Sequence, residues 1–189
     1  GSQPIISRSG RWVLILNGEI VNYLELRKEI GGVWKGTGDA ETLVEALDSW
    51  GLNAIPRLNG MFAFAAWDNQ TRRLLLVRDR LGIKPLFYSQ DNDGSLIFSS
   101  TASSLASFQG NKINLDGLSC VLALGFPKRG STLFSGIKEL MPAHYSIWKN
   151  NFSAKANLNF TRYWNLPLPE HTIQTQEKID EKFQETMSS

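Results

Sequence analysis

Trp12-Val13-Leu14-Ile15-Leu16-Asn17-Gly18-Glu19 is the stretch on which the fold turns. Five large apolar residues in a row read as a buried strand. The run ends in an amide side chain, a bare backbone and a carboxylate. Three polar elements at the end of a rigid strand suit a binding site. Asn-Gly on its own is more commonly only a turn, so this triplet alone does not define chemistry.

On the C-terminal side, Tyr23, Leu26 and Ile30 recur at helical spacing. Asn22 is a candidate N-cap, Glu25 completes a capping box, and Gly31-Gly32 ends the helix. A second helix opens at Thr37-Gly38-Asp39-Ala40-Glu41. Its apolar face is Leu43, Val44, Leu47 and Trp50, and Gly51 closes it. Asp39 falls at or beside the N-cap, where a carboxylate suits the free N–H groups and the helix dipole.

From Ile55 the period changes to two. Met61 to Trp67 and Arg73 to Arg78 form a hairpin about Asp68-Asn69-Gln70-Thr71. Leu86-Phe87-Tyr88 and Leu96 to Ser100 add strands on either side of the turn Asp91-Asn92-Asp93-Gly94. These strands and the opening one read as a mostly antiparallel sheet buried on both faces, and so covered in layers. Arg78-Asp79-Arg80 reads as a salt-bridged corner in preference to a catalytic group. Leu115 to Leu124 is a short helix capped by Asn114, with Cys120 as small buried filler. Thr132 to Pro142 and Tyr145 to Trp148 form a turn and a strand. Leu166-Pro167-Leu168-Pro169 is a linker, and Glu177 to Met187 is a polar helix with little to bury alone.

The bulk properties narrow the function. In 189 residues the formal net charge is +2, and no Lys/Arg cluster forms a stripe for nucleic acid. No apolar run approaches the roughly 18 residues of a membrane helix. The single cysteine excludes an internal disulfide and fits a reducing, cytoplasmic setting. His144 and His171 are isolated, and no spacing suggests a metal site. Asn151-Phe152-Ser153 and Asn159-Phe160-Thr161 match the glycosylation pattern and are read as inert.

Four segments in series carry a resemblance: Leu16 to Tyr23 with Leu26-Arg27, Gly38 to Leu43, Leu58 to Phe64, and Arg78 to Leu86. In this order and spacing they resemble the glutaminase domain of the asparagine synthetases, class II glutamine amidotransferases of the N-terminal-nucleophile hydrolase fold. The likeness continues through Ile137 to His144 and Tyr163-Trp164. It implies an α+β fold, a four-layer α/β/β/α sandwich with antiparallel sheets. Residues 1–166 would be the amidotransferase domain lacking its N-terminal part, and 167–189 a linker and the first helix of a synthetase domain.

The resemblance also implies the activity. Glutamine loses its side-chain amide as ammonia, which serves ATP-dependent amidation of aspartate in the synthetase domain. It assigns the Asn17 side chain and the Gly18 N–H to an oxyanion hole, and Glu19 and Asp39 to the α-amino group of glutamine. The family's nucleophile is an N-terminal Cys. No residue here matches it, and Cys120 lies in another segment, so the chain alone is expected to be inactive. Gly1-Ser2-Gln3-Pro4 resembles a Gly-x-Gln-Pro that lies inside the domain. No Ser-Gly-Gly-x-Asp-Ser motif is present, so ATP and Mg belong to the synthetase domain and this chain needs no cofactor. Expected partners are glutamine and that domain, and a homodimeric parent is compatible with the family. Two alternatives stay open: an amidotransferase for another acceptor, such as a surface polysaccharide sugar, and a catalytically dead interaction module.

Overall fold

A computed structural model describes residues 2–91, 94–110, 112–149, 158–167, 180 and 183–185. Its elements in chain order are β1 (Ile5–Ile6), β2 (Trp12–Ile20), α1 (Tyr23–Ile30), α2 (Asp39–Trp50), a 3-10 segment (Gly51–Arg57), β3 (Gly60–Asp68) and β4 (Arg73–Arg78). There follow β5 (Phe87–Gln90), β6 (Leu96–Ser99), α3 (Ala102–Gln109), α4 (Leu115–Leu124), β7 (Lys138–Glu139), β8 (His144–Lys149) and β9 (Asn159–Arg162).

The strands do not form the single sheet that their alternation suggests. They divide into a six-stranded sheet, β1-β2-β3-β4-β8-β9, and a three-stranded one, β6-β5-β7, with antiparallel pairing throughout. Periodicity shows which face a residue takes, not which strand lies beside it.

Three apolar clusters fill the three gaps between four layers. The first joins α1 and α2 to the large sheet through Leu26, Leu43, Leu47, Leu14, Phe62, Phe64 and Val77. The second lies between the sheets, with Ala63, Ala65 and Leu76 meeting Leu86, Tyr88 and Leu140. The third seats α3 on the small sheet through Leu105, Ala106, Phe87 and Ile97. Strand β3 therefore turns its two Phe toward the helices and two Ala toward the other sheet. Large residues fill the deep helix-facing gap, and small ones let the sheets approach. Each fully buried Phe contributes about 1.5–3 kcal/mol.

Caps and corners differ in detail from expectation. The Asn22 side chain makes no cap hydrogen bond within α1. Its Nδ2 donates to Arg57 O and its Oδ1 accepts from Asn59 N–H, so it ties the start of α1 to the approach to β3. The corner after β4 is buried, but its charges do not pair with each other. Arg78 donates to the carbonyls of Gly82, Lys84 and Leu140 and pairs with Glu139 at 2.8 Å. Asp79 accepts the N–H groups of Leu81, Ile83 and Lys84. Tyr163 closes the corner by donating its hydroxyl to Arg78 O, and burial, aided by the Asp79 charge, pushes that phenol's pKa up.

Cys120 is half-buried on α4, not core filler; the buried residue of that helix is Gly117. Helix α3 and strand β9 were not apparent in the sequence. Of the expected helix Glu177 to Met187, residues 180 and 183–185 are described and are helical. The linker beyond Pro167 and Asn151-Phe152-Ser153 lie outside the described residues.

Ser146 faces the gap between the sheets with no exposure, and its hydroxyl has no partner among the described residues. A buried unpaired hydroxyl costs stability that an apolar replacement restores. Ser146→Ala is therefore expected to stabilise the chain by about 1 kcal/mol. The check is a higher urea midpoint at an unchanged slope.

Candidate functional site: an open strand edge

Strand β2 does not stop at Asn17. It runs through Asn17-Gly18-Glu19 to Ile20, paired with β3 along its whole length. The apparent turn is a strand because Met61, Phe62 and Ala63 of β3 pair with it, and Gly60 lies opposite Ile20. At Gly60, as at Gly18, an added Cβ would collide with the facing backbone, with Glu19 O and Met61 O respectively. Gly18 also has φ 128°, in the region that favours glycine.

The other edge of β2 is only partly covered. Strand β1 pairs with Val13 and Leu14 alone. In the ladder with β3, Val21 N–H reaches Asn59 O, so the odd residues bond toward β3 and the even ones away from it. Along the even side, Leu16 meets the side chain of Gln3 and Ile20 N–H donates to Asp39 Oδ2 at 2.8 Å. Gly18 lies between them. By the alternation its N–H faces the open edge, with no partner among the described residues.

The structure thus brings Asn17, Gly18, Glu19 and Asp39 to one stretch of strand edge. Asn17, Gly18 and Glu19 are all exposed. The Asn17 side chain lines a cavity of about 200 Å³ that opens between the two sheets, with Ile15, Ala63, Ala65, Leu86 and Phe98. Asp39 is the first residue of α2, after Gly38 at the N-cap. Its Oδ1 accepts from Ala40 N–H, and its Oδ2 from strand β2, so the carboxylate joins the helix start to the strand end. Cys120 does not line this cavity.

Two residues quoted above only as parts of motifs carry the support. Arg27 donates to Thr42 Oγ1, Gly36 O and Gly38 O, and its guanidinium stacks on Trp34 at 4.4 Å. Glu41 accepts from Lys35 and Gly36 N–H. Together they fix the loop that delivers Asp39. Gln3 covers the edge at Leu16. Nothing in the one-dimensional pattern marks either arrangement, because both depend on which segments meet. Among the described residues no group of His, Cys, Asp or Glu comes together that could hold a metal.

A free backbone N–H beside a side-chain amide, at a cavity mouth, can stabilise negative charge developing on an oxygen. A carboxylate pair nearby can hold an ammonium. Comparison with known proteins places the whole chain. Asparagine synthetase [glutamine-hydrolyzing] 3 of Bacillus subtilis is 37% identical over 91% of this chain and 28% of its own length. Amidase chry2 of Gibberella zeae is 28% identical over 99% of this chain and 28% of its own. The chain thus spans a little over a quarter of these relatives. A solved glutamine phosphoribosylpyrophosphate amidotransferase from B. subtilis superposes with a TM-score of 0.57 at 18% identity, over 86% of this chain and 32% of that one. That likeness shows the fold, the layered sandwich of the N-terminal-nucleophile hydrolases expected above. No described helix is long and apolar enough to cross a membrane. The model of the family described as "Glutamine amidotransferase domain" matches residues 1–164, so the strand edge just described lies wholly within the match, and the chain belongs to that family.

Proposed function

We propose that this chain is the glutaminase part of an asparagine-synthetase-type amidotransferase, acting on the side-chain amide of glutamine. The observation that carries the reading is the uncovered Gly18 N–H next to the Asn17 amide. When a nucleophile adds to the glutamine carboxamide, the carbonyl oxygen becomes an oxyanion, and these two groups donate to it. Each such donor contributes about 10²–10³ in rate. Glu19 and Asp39 hold the α-ammonium and so set the substrate's direction along the edge. The released ammonia serves amidation of aspartate, with ATP and Mg in a synthetase domain, in the cytoplasm. Residues 1–166 form the amidotransferase unit and 167–189 lead into that further domain.

The test uses the chain itself. L-Glutamine added to the ¹⁵N-labelled chain is expected to shift the amide signals of Asn17, Gly18 and Glu19. Asp39→Asn, which removes the charge facing the ammonium, is expected to weaken binding at least about tenfold, since charge-assisted hydrogen bonds contribute about 1.5–3 kcal/mol. Saturating glutamine that leaves these three signals in place would sink the reading.

A further inference from the structure

One glutamine carboxamide already lies on the β2 edge. Gln3 Nε2 donates to Leu16 O at 2.9 Å, and Leu16 N–H donates to Gln3 Oε1 at 2.7 Å. The β1–β2 register ends at Ile5 opposite Leu14, and the next even residue of β2, Leu16, meets Gln3 instead. At that place the side chain, not the main chain, closes the pair. A primary carboxamide has the same donor and acceptor as a peptide group, so it can stand in for a strand.

Two residues along, Gly18 has the same orientation as Leu16, and two further on Ile20 is taken by Asp39. The edge therefore has a gap one residue long between two side-chain caps. Gly18 offers both an N–H and a C=O there.

We propose that Gln3 is a positioning residue that fixes this edge so that Gly18 receives a second carboxamide, that of the substrate, in the same two-point manner. The Gly18 N–H donates to the substrate carbonyl oxygen, and the substrate NH₂ donates to the Gly18 C=O. Both bonds lie in the plane of the carboxamide and leave its faces open to nucleophilic attack. The pairing also separates substrate from product. Glutamate has no N–H for the Gly18 C=O and sets a carboxylate oxygen against it, so the product is repelled where the substrate is held. The Gly18 C=O is thus a specificity-determining group. This inference rests on the glutaminase reading and goes beyond it by assigning Gln3 and the Gly18 carbonyl.

The test compares binding of L-glutamine and L-glutamate to the natural chain and to Gln3→Ala, by the Gly18 amide signal. Hydrogen exchange at Leu16 and at the core residue Leu47 is followed in parallel. The natural chain is expected to prefer glutamine by at least about tenfold. In Gln3→Ala, Leu16 exchange rises, the preference falls toward one, and Leu47 protection stays. Should Gln3→Ala fail to fold, Gln3→Glu serves, since it keeps an acceptor for Leu16 N–H, loses the donor and sets a carboxylate oxygen against Leu16 C=O. Unchanged glutamine affinity and preference in the folded variant would overturn the positioning role and leave the glutaminase reading standing. Equal affinity of the natural chain for both ligands would overturn the two-point pairing. Absence of glutamine binding to the natural chain would remove the functional reading and this proposal with it.

Discussion

An Arg78→Met chain is expected to lose about 3–5 kcal/mol of unfolding free energy. The domain as a whole should hold about 5–15 kcal/mol, so the loss is a large fraction. Arg78 is 6% exposed. Its guanidinium gathers the carbonyls of Gly82, Lys84 and Leu140 and pairs with Glu139. Methionine fills similar volume but leaves three carbonyls without their donor and Glu139 without its cation. Arg78→Lys keeps a charge for Glu139 but cannot reproduce the planar fan of donors, and should fall between the two. Urea unfolding of the three chains decides it. A methionine variant within 1 kcal/mol of the natural chain, roughly the median of an exposed ion pair, would mean that the guanidinium does not hold the corner.

Gly18→Ala is expected to remove stability and ligand binding together. Two costs add. At φ 128° an L side chain is strained by about 1–3 kcal/mol. The added Cβ also falls on Met61 O, which is backbone and cannot swing aside, so β2 and β3 must separate at that point. A total above about 3 kcal/mol would be among the larger single-residue effects. Separation there moves the Gly18 N–H and the Asn17 amide out of their common site. Thermal unfolding and glutamine titration of the same variant test both halves. A variant with the natural midpoint that still binds glutamine would show that glycine is not required.

Both residues show what could and could not be read before the structure. The alternation in Met61 to Trp67 is plain, and it places two Phe and two Ala on opposite faces. That these faces meet different layers is not plain, because the small sheet is built from strands far along the chain. Asn17-Gly18-Glu19 looks like a turn because its residues are turn-formers. It is a strand because Met61, Phe62 and Ala63 of β3 pair with it, a fact of pairing and not of propensity. Asp39 was legible as a residue at a helix start, while its bond to Ile20 N–H was not. Helix α3 leaves little pattern in the sequence because it buries little beyond Leu105 and Ala106. The four motif segments made the family legible, whereas the bonds of Gln3 to Leu16 needed the folded edge to appear.

Asp68, at the end of β3, is 2% exposed. Burial would raise its carboxyl, but the bidentate Arg11 guanidinium and the Thr71 hydroxyl outweigh this and lower it to about 2. This carboxylate clamps one end of the strand, and the Asp79 N–H bond to Phe62 O holds the other. Between the clamps every residue is committed to a face. Removal of one residue between the clamps would reverse the faces on one side of the deletion and set its side chains against the wrong layer. The strand thus tolerates exchange of side chains but not a change of count. Insertions and deletions are therefore expected in the connections, because the seven residues from Phe62 to Asp68 are held at both ends.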